Sequence, residues 1–447
     1  MKEKDGCQIC YFSTQPYTTA MRLNRIVILL LLPLLFSCEN QSADNSSITA
    51  FVGATLIDGT GASPINDAVL LVENGRIRQV GSKEVVDIPK GAQEVDMAGK
   101  YVMPGMINGH GHIGGTEGLQ GGKYSRENLL RDLALNARYG VTTVVSLGGD
   151  EQASIEVRDA QETGSLSHSR LFVAGTIVTG DSPEEVKLVV QENARNKVDF
   201  IKIRVDDNLR ASVKMPSDVY SAVIEEAHKH GIPVASHLYY LKDAKGLLNA
   251  GTDYIAHSIR DKEVDQELIE LIKAKDVYYC PTLMREVSVF AYAETPDFLA
   301  DKFLLNEVEP EIIEALKAPE RQKRIKENPR TKVYEEALVM AMSNLKKLSD
   351  NGVKIVMGTD AGPPARFQGY FEHKELELMV AAGLTPMQTL VAATGNAAKH
   401  LNLKDIGTLE KGNWADFILL EKNPLEDITN TQSLLDVWIA GNKVPEK

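Results

Sequence analysis

The sequence predicts an α/β protein: a (β/α)8 TIM-like barrel with a small β-sandwich built from both chain ends. Three observations carry this prediction. Eight short apolar runs alternate with helical patterns through the middle of the 447-residue chain, as in a parallel barrel. Both chain ends show short apolar runs separated by turn residues, a pattern typical of β-strands. Side chains of the kinds that bind metals follow the apolar runs, where the strands of a barrel end together at one mouth.

The N-terminal residues 1–38 are predicted to be a signal peptide with a lipoprotein box. Two arginines precede the apolar run 26–36, which is short for a bilayer span and typical of a secretory signal. The Leu-Phe-Ser-Cys tetrad resembles a bacterial lipoprotein box, in which Cys38 carries lipid; the alternative is a plain signal peptide cut nearby. Residues 39–47 form a polar tether. We expect an exported, membrane-anchored protein in the periplasm or on the cell surface, which touches the membrane only through its lipid.

Composition argues against a nucleic-acid partner and against an intrachain disulfide. The chain is 43% hydrophobic and 25% charged, with a net charge of −13. An acidic chain without a basic run lacks the electrostatic footprint of nucleic-acid binding, so we expect no nucleic-acid partner. Of the four cysteines, Cys7 and Cys10 precede the signal and Cys38 would carry lipid. Cys280 then has no partner for an intrachain disulfide.

Residues 48–104 and 403–447 are predicted to form the composite β-sandwich. The Asn74-Gly75 pair lies between two apolar runs and indicates a hairpin, because both residue types tolerate positive φ.

Residues 105–402 are predicted to form the barrel. Helical patterns separate its candidate strands, and Ser182 followed by Pro183 marks one clear helix start. The longest gap, residues 282–352, holds charged helical pieces and is interpreted either as a lid or substrate wall or as a solvated excursion. The candidate strands are 106–110, 141–147, 171–175, 199–204, 232–237, 253–257, 277–281 and 353–359.

Six side chains at strand ends form a candidate metal site. His110 and His112 point to the same side of the first strand end because side chains alternate along a strand, and two neutral imidazoles suit Zn²⁺ or a related ion. His237 and His257 end the fifth and sixth strands and supply nitrogens for a second metal. His237 or His257 alone could be a satisfied core histidine, and a lone His-x-His is weak evidence for a metal.

Lys202 and Asp360 complete this set. Lys202 lies between two isoleucines in a buried strand, where an unpaired ammonium is costly. Carbamylation by CO₂ would convert it into a carboxylate that bridges two metals; the alternative is a lysine that extends to solvent. Asp360 follows the last strand and suits a metal ligand that also moves a proton. Its alternative is a helix cap.

Over residues 48–447 the chain resembles the amidohydrolase superfamily. The resemblance is carried by "PGMINGHGH", by "GVTTVVSLGG", by "GTDAG" and by the C-terminal stretch from His373 to Ile428. The lysine in "VDFIKI" points to the binuclear, carbamylated-lysine branch, which includes Xaa-Pro dipeptidases and imidazolonepropionase-related enzymes. One departure is that the stretch after the third strand lacks the Gly-Gly-His extension common in the prolidase-like branch.

The resemblance implies a role for each ligand. His110, His112 and Asp360 would hold one divalent ion, and His237 and His257 the other. Carbamylated Lys202 and a hydroxide would bridge the two ions, most simply Zn²⁺.

The implied activity is metal-dependent cleavage of an amide or peptide-type C–N bond in a small molecule, with an Xaa-Pro-type dipeptide as the first candidate. A lactonase, esterase or cyclic-amide hydrolase would use the same site. A mononuclear deaminase is disfavoured because no glutamate closely follows His237. A non-catalytic binding lipoprotein is the remaining alternative. Candidate substrate contacts are Tyr239, Tyr240, Arg204 and His373, with Arg285 as a further candidate for a substrate carboxylate.

Overall fold

A computed structural model describes residues 47–447. The predicted signal segment, the lipoprotein box at Cys38 and almost all of the tether lie outside these residues. Among residues 47–447, no helix combines the length and the apolar character needed to cross a membrane.

Strands from both chain ends join in one eight-stranded sheet. Numbered along the chain, they are β1 (Ile48–Leu56), β2 (Ile65–Glu73), β3 (Arg76–Ser82), β4 (Gln93–Asp96), β5 (Tyr101–Pro104), β16 (Phe417–Leu420), β17 (Leu434–Ile439) and β18 (Asn442–Lys443). Their order is β18-β17-β16-β5-β1-β2-β3, and β4 pairs with β1. The expected joining of the two chain ends is therefore confirmed, although hydrogen bonds run through one continuous sheet.

The predicted hairpin is confirmed between β2 and β3. Asn74 has φ 52° and Gly75 has φ 79°, so both turn residues occupy the left-handed region that these residue types tolerate. The sheet encloses its own apolar cluster, in which Phe51 contacts Phe417 and Trp438 edge to face, with ring centroids 5.0 and 4.7 Å away.

The middle of the chain forms eight parallel strands. They are β6 (Met106–Gly111), β9 (Val141–Ser146), β10 (Arg170–Val173), β11 (Ile201–Arg204), β12 (Val234–His237), β13 (Tyr254–Ile255), β14 (Tyr278–Tyr279) and β15 (Lys354–Ile355). A short hairpin of β7 (Thr116–Glu117) and β8 (Gln120–Gly121) follows the first of them. Every strand lies within or close to a predicted run.

Hydrogen bonds link these strands into a ring. One set runs β10-β9-β6 and the other β11-β12-β13-β14-β15. A parallel bridge between Val178 and Ile203 joins the two sets on one side, and a bridge between Gly111 and Ala361 joins them on the other. The carboxyl ends of all eight strands therefore meet at one mouth.

Helices alternate with the strands as predicted. They are α1 (Arg126–Arg138), α2 (Gln152–Asp159), α3 (Pro183–Arg195), α4 (Ser217–Lys229), α5 (Leu241–Ala250), α6 (Gln266–Ala274), α7 (Leu283–Phe290), α8 (Lys302–Leu305), α9 (Pro310–Lys317), α10 (Pro319–Lys326), α11 (Pro329–Asp350), α12 (Tyr370–Ala381), α13 (Pro386–Ala392) and α14 (Gly395–His400). Ser182 caps α3 by accepting a hydrogen bond from the backbone N–H of Glu185. The long gap after β14 contains α7 to α11.

Candidate active site

The six predicted ligands meet at one cavity of about 250 Å³ at the barrel mouth. Each comes from the end of a different strand or from the residues just after it, except that β6 supplies the first histidine and is followed directly by the second. The cavity is lined by His110, His112, Ile177, Lys202, Arg204, His237, His257, Arg285, Asp360, Pro363 and Arg366.

His110, His112 and Asp360 form a compact group. Their ligand atoms lie within 4.8 Å of one another, and Asp360 Oδ1 is 2.9 Å from His112 Nε2 and 3.6 Å from His110 Nε2. Asp360 has φ 57°, a strained conformation for a residue with a side chain, of the kind that concentrates at functional sites. These three residues have the geometry to hold one cation.

His237 and His257 form a second group beside the first. Their ring centroids are 4.2 Å apart, and the ring of His257 lies 4.6 Å from that of His110. Lys202 lies between the groups: its Nζ is 3.0 Å from His110 Nε2, and the side chain is buried.

Three of the imidazoles are oriented by an acceptor or hydroxyl on one nitrogen. The carbonyl of Gly148 lies 2.9 Å from His112 Nδ1, and Thr282 Oγ1 lies 2.7 Å from His257 Nδ1. Asp206 Oδ2 lies 3.2 Å from His237 Nε2, which is an ion-pair distance outside hydrogen-bond geometry. Such contacts fix the ring and leave the opposite nitrogen for a metal.

Burial keeps the imidazoles neutral. It lowers the pKa of His237 to about 4 despite the opposing influence of Asp206. Burial also lowers the pKa of His110 and His257 well below the usual value, with a further contribution from Lys202 at His110 and from His237 at His257. At neutral pH these rings are therefore unprotonated, which is the form that binds metals.

Burial also lowers the pKa of Lys202, to about 8, against the attraction of Asp360. Burial raises the pKa of Asp360, but Arg366 and His112 outweigh it, and the pKa lies well below its usual range. The carboxylate is consequently ionised at neutral pH. The donor set of neutral imidazoles, an ionised carboxylate and a readily deprotonated lysine fits divalent cations such as Zn²⁺.

The predicted substrate contacts separate into two groups. Arg204 lines the cavity, with its Nε 3.4 Å from Asp206 Oδ1. Tyr239 and Tyr240 are not part of the lining: Tyr239 packs under the guanidinium of Arg260 at 4.6 Å, and the hydroxyl of Tyr240 donates to Asp207.

The expectation that His373 reaches the mouth is wrong. His373 lies on α12 and is fully buried. Its Nε2 donates to the carbonyl of Tyr139 at 2.8 Å, and its Nδ1 faces Thr431 Oγ1 at 2.9 Å. The side chain faces inward because it joins α12 to the residues between β16 and β17.

Two polar residues of the site were not predicted. Asp206 lies beside His237, and its position two residues after the end of β11 is a signal that could have identified it. Arg366 donates to Asp360 Oδ2 at 2.5 Å. It comes from an irregular segment after Asp360, where the sequence gives no period from which side-chain direction could be predicted.

Comparison with known proteins agrees with the geometry. The Amidohydrolase family profile matches residues 101–444. The chain is 26% identical to ochratoxinase from Aspergillus niger, in an alignment covering 90% of this chain and 87% of that protein.

Solved structures show the same fold. A putative prolidase from Bifidobacterium longum superimposes with a TM-score of 0.72 at 25% identity, covering 89% of this chain and 95% of that chain. A Xaa-Pro dipeptidase, described with bound methionine in its active site, superimposes with a TM-score of 0.69 at 24% identity, covering 89% of this chain and 99% of that chain. The family match covers most of the chain, so this protein belongs to the Amidohydrolase family and is a hydrolase of carbon–nitrogen bonds.

Proposed function

We propose that the protein is a metal-dependent amidohydrolase that cleaves an amide or peptide-type C–N bond in a small substrate. The observation that carries this proposal is the meeting of four histidines, one lysine and one aspartate around a single cavity. A packed core has no need for six such side chains at one strand-end mouth, and buried polar groups are costly when they have no function or partner.

Each residue has a defined role in this proposal. His110, His112 and Asp360 would hold one divalent ion, His237 and His257 a second, and Lys202 would bridge the two ions as a carbamate. Bound divalent ions supply acidified water and polarise the carbonyl under attack.

The environment of Lys202 favours the carbamate. A pKa of about 8 leaves an appreciable neutral amine fraction at neutral pH. The neutral amine nitrogen adds to the carbon of CO₂ and loses a proton, giving an anionic carboxylate in place of a buried ammonium.

Asp360 is the proposed proton carrier. Its low pKa keeps it ionised, so that it can accept a proton from the attacking water. As the C–N bond breaks, the same carboxyl group delivers this proton to the leaving nitrogen. Arg366, which donates to Oδ2, holds the carboxylate in place for both transfers.

Relatives and alternatives limit the substrate class. Matched relatives include an ochratoxinase, a Xaa-Pro dipeptidase and a 5-methylthioadenosine/S-adenosylhomocysteine deaminase. We favour amide hydrolysis over deamination because residues 238–241 after His237 contain no glutamate to serve a deaminase. Xaa-Pro-type dipeptides are the first candidates because a Xaa-Pro dipeptidase is among the similar structures. A lactone, ester or cyclic amide remains the second candidate because the same carbonyl chemistry applies.

The first experiment is elemental analysis of the purified protein. We expect close to two divalent ions per chain in the wild type and fewer in Lys202→Ala. Lys214→Ala is the matched control, since Lys214 pairs with Asp243 away from the cavity, and should keep the wild-type metal content. One ion in both wild type and Lys202→Ala would move the site to a mononuclear enzyme. No metal in any sample would favour the binding-protein alternative.

Turnover provides the second test. Asp360→Asn is expected to lower kcat by roughly 100-fold to 10,000-fold, the range found for loss of a general acid–base group. Full activity of this variant, after reconstitution with Zn²⁺, would contradict the assigned role.

Export and lipid anchoring at Cys38 are a separate proposal. They are supported by the two arginines, the apolar run 26–36 and the tetrad that ends at Cys38. Mass spectrometry of the mature N-terminus tests them: a lipidated cysteine is expected in the wild type, and Cys38→Ala should lack it. An unmodified N-terminus elsewhere would contradict the proposal.

A further inference from the structure

Arg285 lines the cavity with a guanidinium nitrogen that donates no hydrogen bond to any described residue. It lies on α7, lines the cavity and is 8% exposed. Its Nε has no hydrogen-bond partner among the described residues. The nearest carboxylate oxygen in an ion pair with this nitrogen is Asp360 Oδ2, at 3.9 Å, which is too far for a hydrogen bond.

The opposite side of Arg285 is firmly held. Its Nη1 lies 3.1 and 3.2 Å from the two carboxylate oxygens of Glu286. Glu286 is also held by Arg260, whose Nε lies 3.0 Å from Oε1. Tyr334 from α11 lies under the guanidinium of Arg285 at 5.0 Å. These contacts set the direction of the guanidinium plane and leave Nε toward the cavity.

This cluster carries an excess of positive charge. Arg260 and Arg285 are both buried, and Glu286 supplies one negative charge between them. A buried guanidinium N–H without an acceptor is destabilising, and more so because the group is charged. An anion bound in the cavity would remove that cost.

Asp360 does not serve as this anion. Its Oδ2 already accepts from Arg366 at 2.5 Å, and its Oδ1 lies 2.9 Å from His112 Nε2. Arg204 also lines the cavity, but its side chain is 44% exposed and sits beside Asp206. Arg260 also has unused donors, but it is not part of the cavity lining, so Arg285 is the buried arginine that offers an unused donor to the cavity.

We propose that Arg285 binds a carboxylate of the substrate, positioned by Glu286 and Arg260, and so selects amides that carry an anionic group beside the scissile bond. The inference rests on the proposed amidohydrolase function. Because Nε is only 3.9 Å from Asp360 Oδ2, a carboxylate bound by Arg285 would lie close to the proposed proton carrier and therefore close to the scissile bond. An N-acyl amino acid or a dipeptide with a free α-carboxylate has this arrangement.

The test compares acids with their carboxamides. The substrates are the N-acetyl and N-glycyl derivatives of proline, phenylalanine and methionine, each as the free acid and as the carboxamide. We expect the metal-loaded wild type to prefer the acid of at least one pair by about 10-fold to 100-fold in kcat/KM, as hydrogen bonds to charged groups imply. Arg285→Met should bring that ratio close to one, mainly through KM for the acid, and leave the carboxamide less affected.

Variants separate binding from folding. Arg285→Lys keeps the charge beside Glu286 but loses the planar fork, so an intermediate preference is expected. Arg321→Met is the matched control: Arg321 lies on α10, in the same long connection, near the ring of Tyr292, and its loss should leave the preference unchanged. Arg204→Met shows which of the two arginines binds the carboxylate. If Arg204→Met loses the preference for acids over carboxamides while Arg285→Met retains it, the proposal is overturned.

Calorimetric titration of the acids and carboxamides into the metal-loaded protein measures binding without turnover. The role of Arg285 can therefore be tested separately from the amidohydrolase function. Turnover without any acid preference would refute the role of Arg285 and leave the amidohydrolase function standing. Tighter binding of acids, dependent on Arg285 but without turnover, would support the anion site and refute the hydrolysis. Equal binding, or no binding, of all acids and carboxamides would overturn the inference.

Discussion

Several of the proposed metal ligands are held in position by neighbouring side chains. His237 shows this most directly, because Asp206 Oδ2 lies 3.2 Å from its Nε2 and the opposite nitrogen remains for a metal. Burial first raises the pKa of Asp206, but His237 outweighs this and the pKa ends below its usual value. The carboxylate therefore stays ionised and continues to orient the ring at any pH at which the site holds metal.

Asp206→Asn should weaken metal binding by about 10-fold to 100-fold, the range seen when a residue that orients a ligand is lost. Competition with a chelator, followed by elemental analysis, measures this change. Asp207→Asn is the control, because Asp207 instead accepts a hydrogen bond from the hydroxyl of Tyr240. Equal metal affinity in Asp206→Asn and the wild type would show that Asp206 does not orient the ligand.

His373 is predicted to make stability depend on pH. Burial lowers its pKa from 6.5 to about 4, while its bond to the Tyr139 carbonyl opposes this and Lys374 adds to it. The unfolded chain therefore binds more protons between pH 4 and 6.5. The stabilisation is complete above pH 6.5 and is lost as the pH falls toward 4, by about 3 kcal/mol.

Urea unfolding of the metal-free protein at several pH values measures this effect. His373→Gln keeps a donor for the Tyr139 carbonyl and should flatten the profile relative to the wild type. His228→Gln, at a partly exposed position beside Asp253, serves as the control and should retain the slope. Parallel profiles for the wild type and His373→Gln would contradict the prediction.

At the scale of elements, the proposed metal group of His110, His112 and Asp360 depends on the contact between the end of β6 and the segment after β15. The backbone N–H of Asp360 donates to the carbonyl of His110 at 2.7 Å, and that of His112 donates to Ala361 at 2.8 Å. Gly362 makes the close approach possible. It has φ 113°, and a Cβ there would lie 1.6 Å from the carbonyl oxygen of His112.

Gly362→Ala is therefore expected to separate the two segments and to abolish metal binding by His110, His112 and Asp360. Strain and steric overlap should also destabilise the protein by roughly 3 kcal/mol or more. Thermal unfolding and metal content measure the two effects. Gly115→Ala is the control on the same side of the barrel, since a Cβ there meets nothing within 4 Å. Normal metal content in Gly362→Ala would show that the contact is not required.

The sequence predicts the elements better than the connections. Strand β6 and its two histidines were predictable because an apolar run fixes the strand, and alternation then fixes the direction of its side chains. The start of helix α3 was predictable from its cap, Ser182, followed by Pro183 in the first turn. Arg366 was not, since it comes from an irregular segment whose course depends on tertiary contacts. His373 was misplaced because a helix start gives no information on which neighbour its face will meet.

For the whole molecule, the sheet formed by both chain ends is fastened to the barrel by a buried ion pair. Arg170 on β10 donates through Nε to Asp416 Oδ2 at 2.6 Å, and both side chains are almost fully buried. Asp416 Oδ1 also accepts from the backbone N–H of Ala440 at 2.7 Å. The indole of Trp414 lies under the guanidinium at 4.6 Å. One carboxylate thus connects a barrel strand to the strands at the C-terminal end.

Asp416→Asn is expected to destabilise the protein by about 3 to 5 kcal/mol, because removing one partner leaves the Arg170 charge buried and unpaired. Denaturant unfolding measures this loss. Asp405→Asn is the control: Asp405 pairs with Arg76 at 3.0 Å on the surface, where such a pair contributes about 1 kcal/mol or less. Below its unfolding transition, Asp416→Asn should keep its metal content, since the pair lies outside the cavity lining. A loss of metal from Asp416→Asn without a loss of stability would mean that the sheet acts on the site directly. Equal stability of Asp416→Asn and Asp405→Asn would mean that the buried pair does not hold the sheet to the barrel.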